Sequence, residues 1–310
     1  MRDPSGPPRG AWRAVELSVE PPFDYRLSMQ ATPPPPPLEA SGEELRRCLQ
    51  IDGEPVPVRL RLSGSVEEPS ALLYAPAALG SRLVDEAARR IERLICARLS
   101  LEGAYRSAEA DPGLRRLVRG LRGLKPWLAP DPWEGLVTSI AFQQVSLRAA
   151  YSMLSSLAQR LGASVEAGGA VFRSLPSPRE VLAAGQGALR ECKLSRAKSS
   201  CIANAARMVV EGELDLEGLS SRPTREILGR LMEIRGVGEW TAELTAIISY
   251  GRWEVVPASD LGLRKAVARL TGSPTLPPPR EVRRLCEPWG PWRGLLAYYV
   301  LVAYEMGQLG

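Results

Sequence analysis

The chain has 310 residues, of which 45% are hydrophobic and 24% charged, a composition typical of a folded globular protein. Its net charge of +5 is compatible with a nucleic-acid partner but does not require one. It contains no histidine, which excludes Ser-His-Asp triads, Cys-His nucleophiles and histidine-ligated zinc sites. Its five cysteines are too widely spaced for a CxxC metal site and are expected to be buried thiols. Acid–base chemistry must therefore use Asp, Glu, Lys, Tyr or water.

No apolar run reaches the ~18 residues that a membrane-spanning helix needs. The N-terminal stretch MRDPSGPPRGAWRAVE lacks the apolar core of a secretion signal. We therefore expect an intracellular, cytoplasmic protein with no membrane partner.

The first third of the chain alternates between strand and helix signals. A polyproline stretch at residues 32–41 is too stiff for a helix and is expected in an exposed loop. Apolar residues at helical spacing predict a helix over residues 79–101. Runs rich in β-formers, several with period-two alternation, predict strands at residues 12–19, 24–30, 57–63 and 71–76. These signals predict a small α+β domain, an antiparallel sheet with helices against it.

From about residue 111 onward, strand signals nearly vanish and helical periodicity takes over. Gly, Pro and Ser punctuate the junctions between the predicted helices. The helical segments are residues 111–124, 132–162, 177–185, 187–193, 195–212, 224–234, 239–251, 259–272 and 278–307. We expect an all-α domain over residues 113–310, after an N-terminal domain of residues 1–112.

The segment LMEIRGVGEWTAEL, residues 231–244, predicts two helices joined by a tight turn. Gly236 and Gly238 permit positive φ and leave backbone N–H groups uncovered. Such donors, at the positive end of the next helix, can hold a phosphate oxygen without a side chain. Taken alone, the G-V-G turn is more commonly the C-terminal cap of a helix. Asp260 starts a later helical pattern, so taken alone it is an N-cap.

Together these features resemble the helix-hairpin-helix (HhH-GPD) superfamily of DNA glycosylases. Asp260 follows Gly238 by 22 residues, across the loop GRWEVVPASD, as in that family. The segments WEGLVTSIAFQQVSLRAA and CKLSRAKSSCIANAA are similar to further family stretches, and PPFDYRLSMQ is similar to an N-terminal strand. The ending WGPWRGLLAYYV resembles the W-x-P-W-R helix of the 3-methyladenine DNA glycosylase II branch. The resemblance covers most of the chain.

The resemblance implies a DNA glycosylase of base excision repair. Its partners would be double-stranded DNA with a damaged base, which is flipped out of the helix, and water as nucleophile. Asp260 would be the catalytic residue, stabilising positive charge on the sugar and orienting water. Lyase-competent members carry a lysine where this chain has Trp240, so the enzyme is expected to release alkylated purines such as 3-methyladenine and leave an abasic site uncut. We expect a monomer associated with the nucleoid.

The resemblance also assigns the remaining site residues. Gln144 would be the wedge that fills the gap left by the flipped base, and Gln143 a buried hydrogen-bonding residue. The resemblance implies no required cofactor, but a structural K⁺ or Na⁺ held by hairpin carbonyls. The base pocket would use Trp240, Leu244 and Tyr298, the DNA backbone would contact Gly236, Val237, Gly238 and Thr241, and the cation carbonyls would be those of Met232, Ile234 and Val237.

Several positions depart from the 3-methyladenine branch. Leu244, Leu301 and Val302 stand where aromatic residues are expected, and Arg235 replaces a usual proline. The departures leave the substrate open. One alternative is a glycosylase for oxidised or deaminated purines. Another is a non-catalytic helix-hairpin-helix module that binds DNA or repair partners.

Overall fold

The computed structural model describes residues 12–41 and 43–309, which form a mixed sheet-and-helix fold. The N-terminal elements are β1 (Trp12–Leu17), α1 (Tyr25–Ala31), β2 (Glu39–Ser41), β3 (Glu44–Ile51), β4 (Glu54–Gly64), β5 (Pro69–Pro76), α2 (Ser81–Leu94), α3 (Glu102–Ala108) and α4 (Pro112–Gly120). They are followed by α5 (Pro132–Phe142), α6 (Leu147–Arg160), β6 (Ser164–Ala167), β7 (Ala170–Arg173), α7 (Pro178–Glu191) and α8 (Arg196–Val210). The last elements are α9 (Thr224–Met232), α10 (Glu239–Tyr250), α11 (Leu261–Thr271), α12 (Pro279–Cys286) and α13 (Arg293–Glu305), with 3₁₀ turns at Gly218–Ser221 and Glu287–Trp292.

The N-terminal strands form one antiparallel sheet in the order β1-β5-β4-β3-β2. Along β4, Val56, Val58, Leu60 and Leu62 are buried at every second position, the period that puts alternate side chains on one face of a strand. Helix α2 covers this sheet with its own buried stripe, and both contribute to one core. The predicted α+β fold class is confirmed.

Residues 25–30 lie in helix α1, so the strand predicted over residues 24–30 is wrong. Asp24 caps the helix, because its side chain accepts a hydrogen bond from the backbone amide of Leu27 at 2.9 Å. Tyr25 and Ser28, three residues apart, are the residues that the helix buries. The alternation of apolar residues in this segment imitates a strand, but the cap and the buried helical face decide its structure.

The strands β2, β3, β6 and β7 were absent from the sequence prediction. The hairpin β6–β7 sits inside the helical part, and its turn uses Gly168 and Gly169, both with positive φ. The segment predicted as one helix over residues 132–162 is divided into α5 and α6 at Gln144, which adopts φ +50°. Ser146 then caps α6 through its side-chain oxygen.

The polyproline stretch does not form an exposed loop, so that prediction is also wrong. Pro34, Pro37 and Leu38 are buried, and Pro35 and Pro36 are half-buried. Aromatic side chains from distant parts of the chain cover the segment, which a local composition argument cannot anticipate.

The helical part has two apolar cores. The first is built by α5, α6, α8, α9 and α10, and includes Leu136, Ile202 and Ala246. The second joins α4, α11 and α13 with α3, which contributes Ala104 and Ala108. Helix α3 precedes residue 112, so this core includes residues on both sides of the predicted domain boundary, which stays a prediction. No helix among residues 12–41 and 43–309 is long and apolar enough to cross a membrane.

All five cysteines are free and buried, as expected. Burial raises the pKa of the thiols of Cys48, Cys96 and Cys286 to about 12, and that of Cys201 to about 11. The pKa of Cys192 is raised for the same reason. At neutral pH these side chains are therefore uncharged core groups.

A buried ion pair links the sheet to the helical part. Arg47 of β3 donates from Nη2 to both carboxylate oxygens of Glu134 in α5, each at 2.6 Å. Both side chains are nearly inaccessible, with 2% and 6% exposure. Burial raises the pKa of Glu134 to about 7, while the positive charge of Arg47 acts in the opposite direction. The charge of Arg47 is therefore the main compensation for a carboxylate held away from water.

Replacing Arg47 with Met should lower the free energy of unfolding by about 3–5 kcal/mol, because it leaves a buried carboxylate without its cation. Chemical denaturation at neutral pH measures the loss. The double variant R47M/E134M removes both charges and should recover most of it. An R47M protein as stable as the unaltered chain would contradict this account.

Candidate active site

The turn between α9 and α10 has one strained glycine and one open glycine. Gly236 adopts φ +100°, and a Cβ there would lie 3.0 Å from Cβ of Cys201 in α8. Gly238 has φ −96° and is the N-cap of α10, with nothing within 4 Å of an added Cβ. The expectation of positive φ therefore holds for Gly236 alone. Gly238 instead leaves space in front of the helix terminus.

The side chain of Gln143, at the end of α5, holds this turn through hydrogen bonds. Its Nε2 donates to the carbonyl of Gly236 and to Oγ1 of Thr241, both at 3.0 Å. Gln143 is half-buried and has the hydrogen-bonding role expected for it. Thr241 is 3% exposed and Val237 is 6% exposed, so their side chains face inward. The groups that the turn offers to solvent are the backbone around Gly238 and the first turn of α10.

Helix α10 makes its first internal hydrogen bond from the amide of Ala242 to the carbonyl of Gly238. The preceding amides of the helix have no partner within it, which is the ordinary state of a helix N-terminus. Of the carbonyls predicted to hold a cation, that of Ile234 accepts the amide of Val237 at 2.9 Å and keeps a second lone pair. Carbonyl oxygens are suitable ligands for K⁺ or Na⁺. The cation stays a prediction.

Asp260 is held through both carboxylate oxygens. Oδ1 accepts the amide of Leu263 at 2.9 Å, so Asp260 is the N-cap of α11. Oδ2 accepts the indole N–H of Trp240 at 3.2 Å. Asp260 can therefore be both an N-cap and a pocket residue, because one oxygen caps α11 and the other accepts a hydrogen bond from the hairpin.

Asp260 and Trp240 line a cavity of about 410 Å³. This volume is at the small end of the ~300–1,000 Å³ usual for ligand pockets. The predicted pocket residues Leu244 and Tyr298 line it as well, as do Leu301 and Val302. Its aromatic lining consists of Trp127, Phe142, Tyr151, Trp240, Trp253 and Tyr298. The cavity can therefore offer flat aromatic surfaces beside the carboxylate of Asp260.

The aromatic rings come largely from elements other than those predicted. Leu244, Leu301 and Val302 keep their aliphatic character at the cavity surface, while Trp127 and Tyr151 supply rings from the α4–α5 connection and from α6. Phe142 stacks with Tyr151 at a centroid distance of 6.1 Å. The cavity therefore lacks aromatic side chains at the three expected positions but receives rings from other elements.

Gln144 lies in the break between α5 and α6, exposed and with positive φ. Its neighbours Val145 and Leu147 line the cavity, although 38% and 47% of their surfaces are exposed. An exposed apolar pair beside Gln144 was missed by the sequence reasoning. The signal was present, since both are large apolar residues in a polar helix junction.

Glu305, near the end of α13, is a second carboxylate that the sequence reasoning missed. It lines the same cavity as Asp260. Burial and the negative charge of Asp260 raise its pKa. Glu305 follows Tyr298 by seven residues, two helical turns, and so occupies the same helix face. That spacing was the signal that could have found it.

Arg47 and Glu134 also line the cavity, as do Thr32, Pro35 and Pro36. The N-terminal part of the chain therefore forms one of its walls. No local motif marks these residues, because each reaches the cavity through the packing of the sheet against the helices.

Comparisons with known proteins identify the family of the chain. The model of the HhH-GPD superfamily base excision DNA repair protein matches residues 137–291, half of the chain. The DNA-3-methyladenine glycosylase of Bacillus subtilis is 28% identical over 196 residues, which are 63% of this chain and 65% of the relative. The chain thus spans just under two thirds of that relative's length.

Two solved structures extend the similarity. The 3-methyladenine DNA glycosylase of Archaeoglobus fulgidus has a TM-score of 0.84 at 26% identity, over 94% of this chain and 99% of that one. The Schizosaccharomyces pombe 3-methyladenine DNA glycosylase (Mag1), in complex with abasic DNA, has a TM-score of 0.58 at 25% identity, over 67% of this chain and 98% of that one. The matched family segment contains both the hairpin and Asp260. The chain therefore belongs to the HhH-GPD superfamily of base excision DNA repair proteins, and its resemblance to the 3-methyladenine branch is confirmed.

Proposed function

We propose that this protein is a monofunctional DNA glycosylase that hydrolyses the N-glycosidic bond of alkylated purines such as 3-methyladenine. Its product would be an abasic site in an uncut strand. The observation that carries the proposal is the carboxylate of Asp260 in an aromatic cavity, 3.2 Å from the indole nitrogen of Trp240. The family membership and the relatives named above support the same reaction.

Cleavage of the glycosidic bond develops positive charge on the deoxyribose ring. The carboxylate of Asp260 would stabilise this charge and orient water for attack at C1′. The indole N–H of Trp240 and the amide of Leu263 hold the carboxylate before substrate arrives. Such preorganisation lowers the cost of reaching the reactive geometry.

The lining of the cavity favours a positively charged base. Electron-poor alkylated purines stack well on aromatic rings and gain from cation–π attraction to indole. Asp260 and Glu305 add two acidic side chains to the same cavity, besides the paired Arg47 and Glu134. A neutral oxidised or deaminated base would gain less from these charges, so alkylated purines are the better match.

The hairpin would bind the DNA backbone beside the flipped nucleotide. The uncovered amides at the start of α10 suit a phosphate oxygen, and the open space at Gly238 allows close approach. Gln144, with exposed Val145 and Leu147 beside it, would fill the gap in the duplex. Affinity should fall with rising salt, because phosphate contacts release counterions.

None of the chain's four lysines, all in the described residues, lines the cavity. Lys125 and Lys198 are buried and donate to backbone carbonyls, and Lys265 is exposed on α11. A lyase reaction through a lysine Schiff base therefore lacks its nucleophile. A purely DNA-binding role would not account for the carboxylate-bearing cavity.

Asp260→Asn should reduce base release by roughly 10²–10⁴-fold, because the amide cannot stabilise positive charge on the sugar. Asparagine is a good N-cap, so the start of α11 should survive. Release of free base from methylated duplex DNA measures the effect, with binding to an abasic analogue as the second readout. Asp111→Asn, at the cap of α4 outside the cavity, is the matched control. Near-normal excision by Asp260→Asn would refute the mechanism.

Substitutions at the two hairpin glycines should have different effects, one on stability and the other on DNA binding. Gly236→Ala should lower the free energy of unfolding by about 1–3 kcal/mol, because of its positive φ and its contact with Cys201. Gly238→Ala should leave stability nearly unchanged but weaken binding to abasic-analogue DNA, since its new methyl group points into the space for the strand. Denaturation and fluorescence anisotropy measure the two effects. Equal DNA affinity of Gly238→Ala and the unaltered chain would count against phosphate binding at this turn.

Borohydride reduction during turnover should trap no covalent protein–DNA adduct, since no lysine amine reaches the cavity. The abasic strand should break only after alkali treatment. Denaturing gels of labelled duplex show both results, with an established lyase as positive control. A trapped adduct with the unaltered protein would favour the rival oxidised-purine glycosylase with lyase activity.

A further inference from the structure

We propose that the proline segment, residues 33–37, is a rigid wall that limits the size of the base the cavity accepts. This inference rests on the proposed function and assigns a task to the N-terminal part of the chain. Pro35 and Pro36 line the cavity together with Asp260 and Trp240. The segment therefore faces the space that a flipped base would occupy.

Three aromatic side chains clamp the start of the segment. The indole N–H of Trp127 donates to the carbonyl of Thr32 at 2.8 Å. The hydroxyl of Tyr298 lies 3.2 Å from Oγ1 of Thr32, and the hydroxyl of Tyr151 donates to the carbonyl of Pro33. All three rings also line the cavity. The wall and the aromatic lining are thus one connected structure.

The other end of the segment is held by burial. Pro34 and Pro37, on either side of the lining prolines, are buried, and Leu38 joins the core of the sheet. The segment cannot move outward without exposing these side chains. A larger base would have to displace buried apolar groups as well as break the aromatic clamp.

Proline chemistry makes this wall stiff. Each pyrrolidine ring fixes φ near −65°, so five consecutive prolines have little conformational freedom to accommodate a larger guest. The five residues also have no backbone N–H, so the wall can present only ring methylenes and carbonyl oxygens. It therefore selects by shape and cannot donate a backbone hydrogen bond to a base.

A rigid wall in a small cavity should discriminate between short and long alkyl groups. In a hydrophobic pocket, one methylene is worth roughly 10–200-fold in specificity. The unaltered protein should therefore release 3-methyladenine much faster than 3-butyladenine. The ratio of the two rates, measured on DNA treated with a methylating or a butylating agent, reports on the wall.

The double variant P35A/P36A removes both lining rings and should lower this methyl-to-butyl ratio by at least about tenfold. Pro33→Ala is the matched control, because Pro33 is exposed, does not line the cavity and keeps its carbonyl for Tyr151. Its ratio should equal that of the unaltered protein. An unchanged ratio in P35A/P36A, or an equal fall in Pro33→Ala, would overturn the proposal.

Tyr151→Phe tests the clamp without altering any proline. It keeps the ring and removes the hydroxyl that donates to Pro33, so the ratio should fall in the same direction but by less. This variant also tests the proposal if P35A/P36A does not fold. An unchanged ratio in Tyr151→Phe would then overturn the proposal. Failure of the unaltered protein to release 3-methyladenine would instead overturn the proposed function, on which the wall's role rests.

Discussion

The candidate site depends on the two hydrogen bonds that hold the carboxylate of Asp260. One oxygen starts α11, and the other accepts the indole N–H of a residue in the first turn of α10. Because the two bonds come from different helices, the carboxylate is fixed relative to the hairpin that precedes it. The elements that we propose to bind a strand and to act on its sugar are therefore connected by hydrogen bonds. Gln143 extends this arrangement to α5 by bonding the turn itself.

The cavity around this carboxylate is shared between the two parts of the chain. The helices contribute the acid and most rings, while the sheet side contributes Arg47 and the proline segment. The buried ion pair with Glu134 holds that sheet against α5 at the same place. The N-terminal part thus contributes to the proposed site, and the similarity to the Archaeoglobus fulgidus structure, over 94% of the chain, includes this part.

Local signals sufficed for much of the fold and of the site. Helical periodicity, the G-V-G turn and the spacing to Asp260 predicted the hairpin, and Trp240, Leu244 and Tyr298 do line one cavity. The predictions were wrong where packing between distant parts of the chain determines the local structure. Residues 24–30 carry an alternating pattern, yet a cap and a buried face make them α1. The proline segment looks like an exposed loop until Trp127 and Tyr151, far along the chain, cover it.

The burial of all five thiols has a consequence for survival in a cell under chemical attack. Agents that methylate DNA are electrophiles, and the protein group most open to them is a solvent-accessible thiolate. This chain presents none, because its sulfur atoms lie in the core and their pKa values are raised. If the proposed function is correct, the agents that create its substrate would leave the buried cysteines of the protein unmodified, and its activity would not decline through them as damaged bases accumulate.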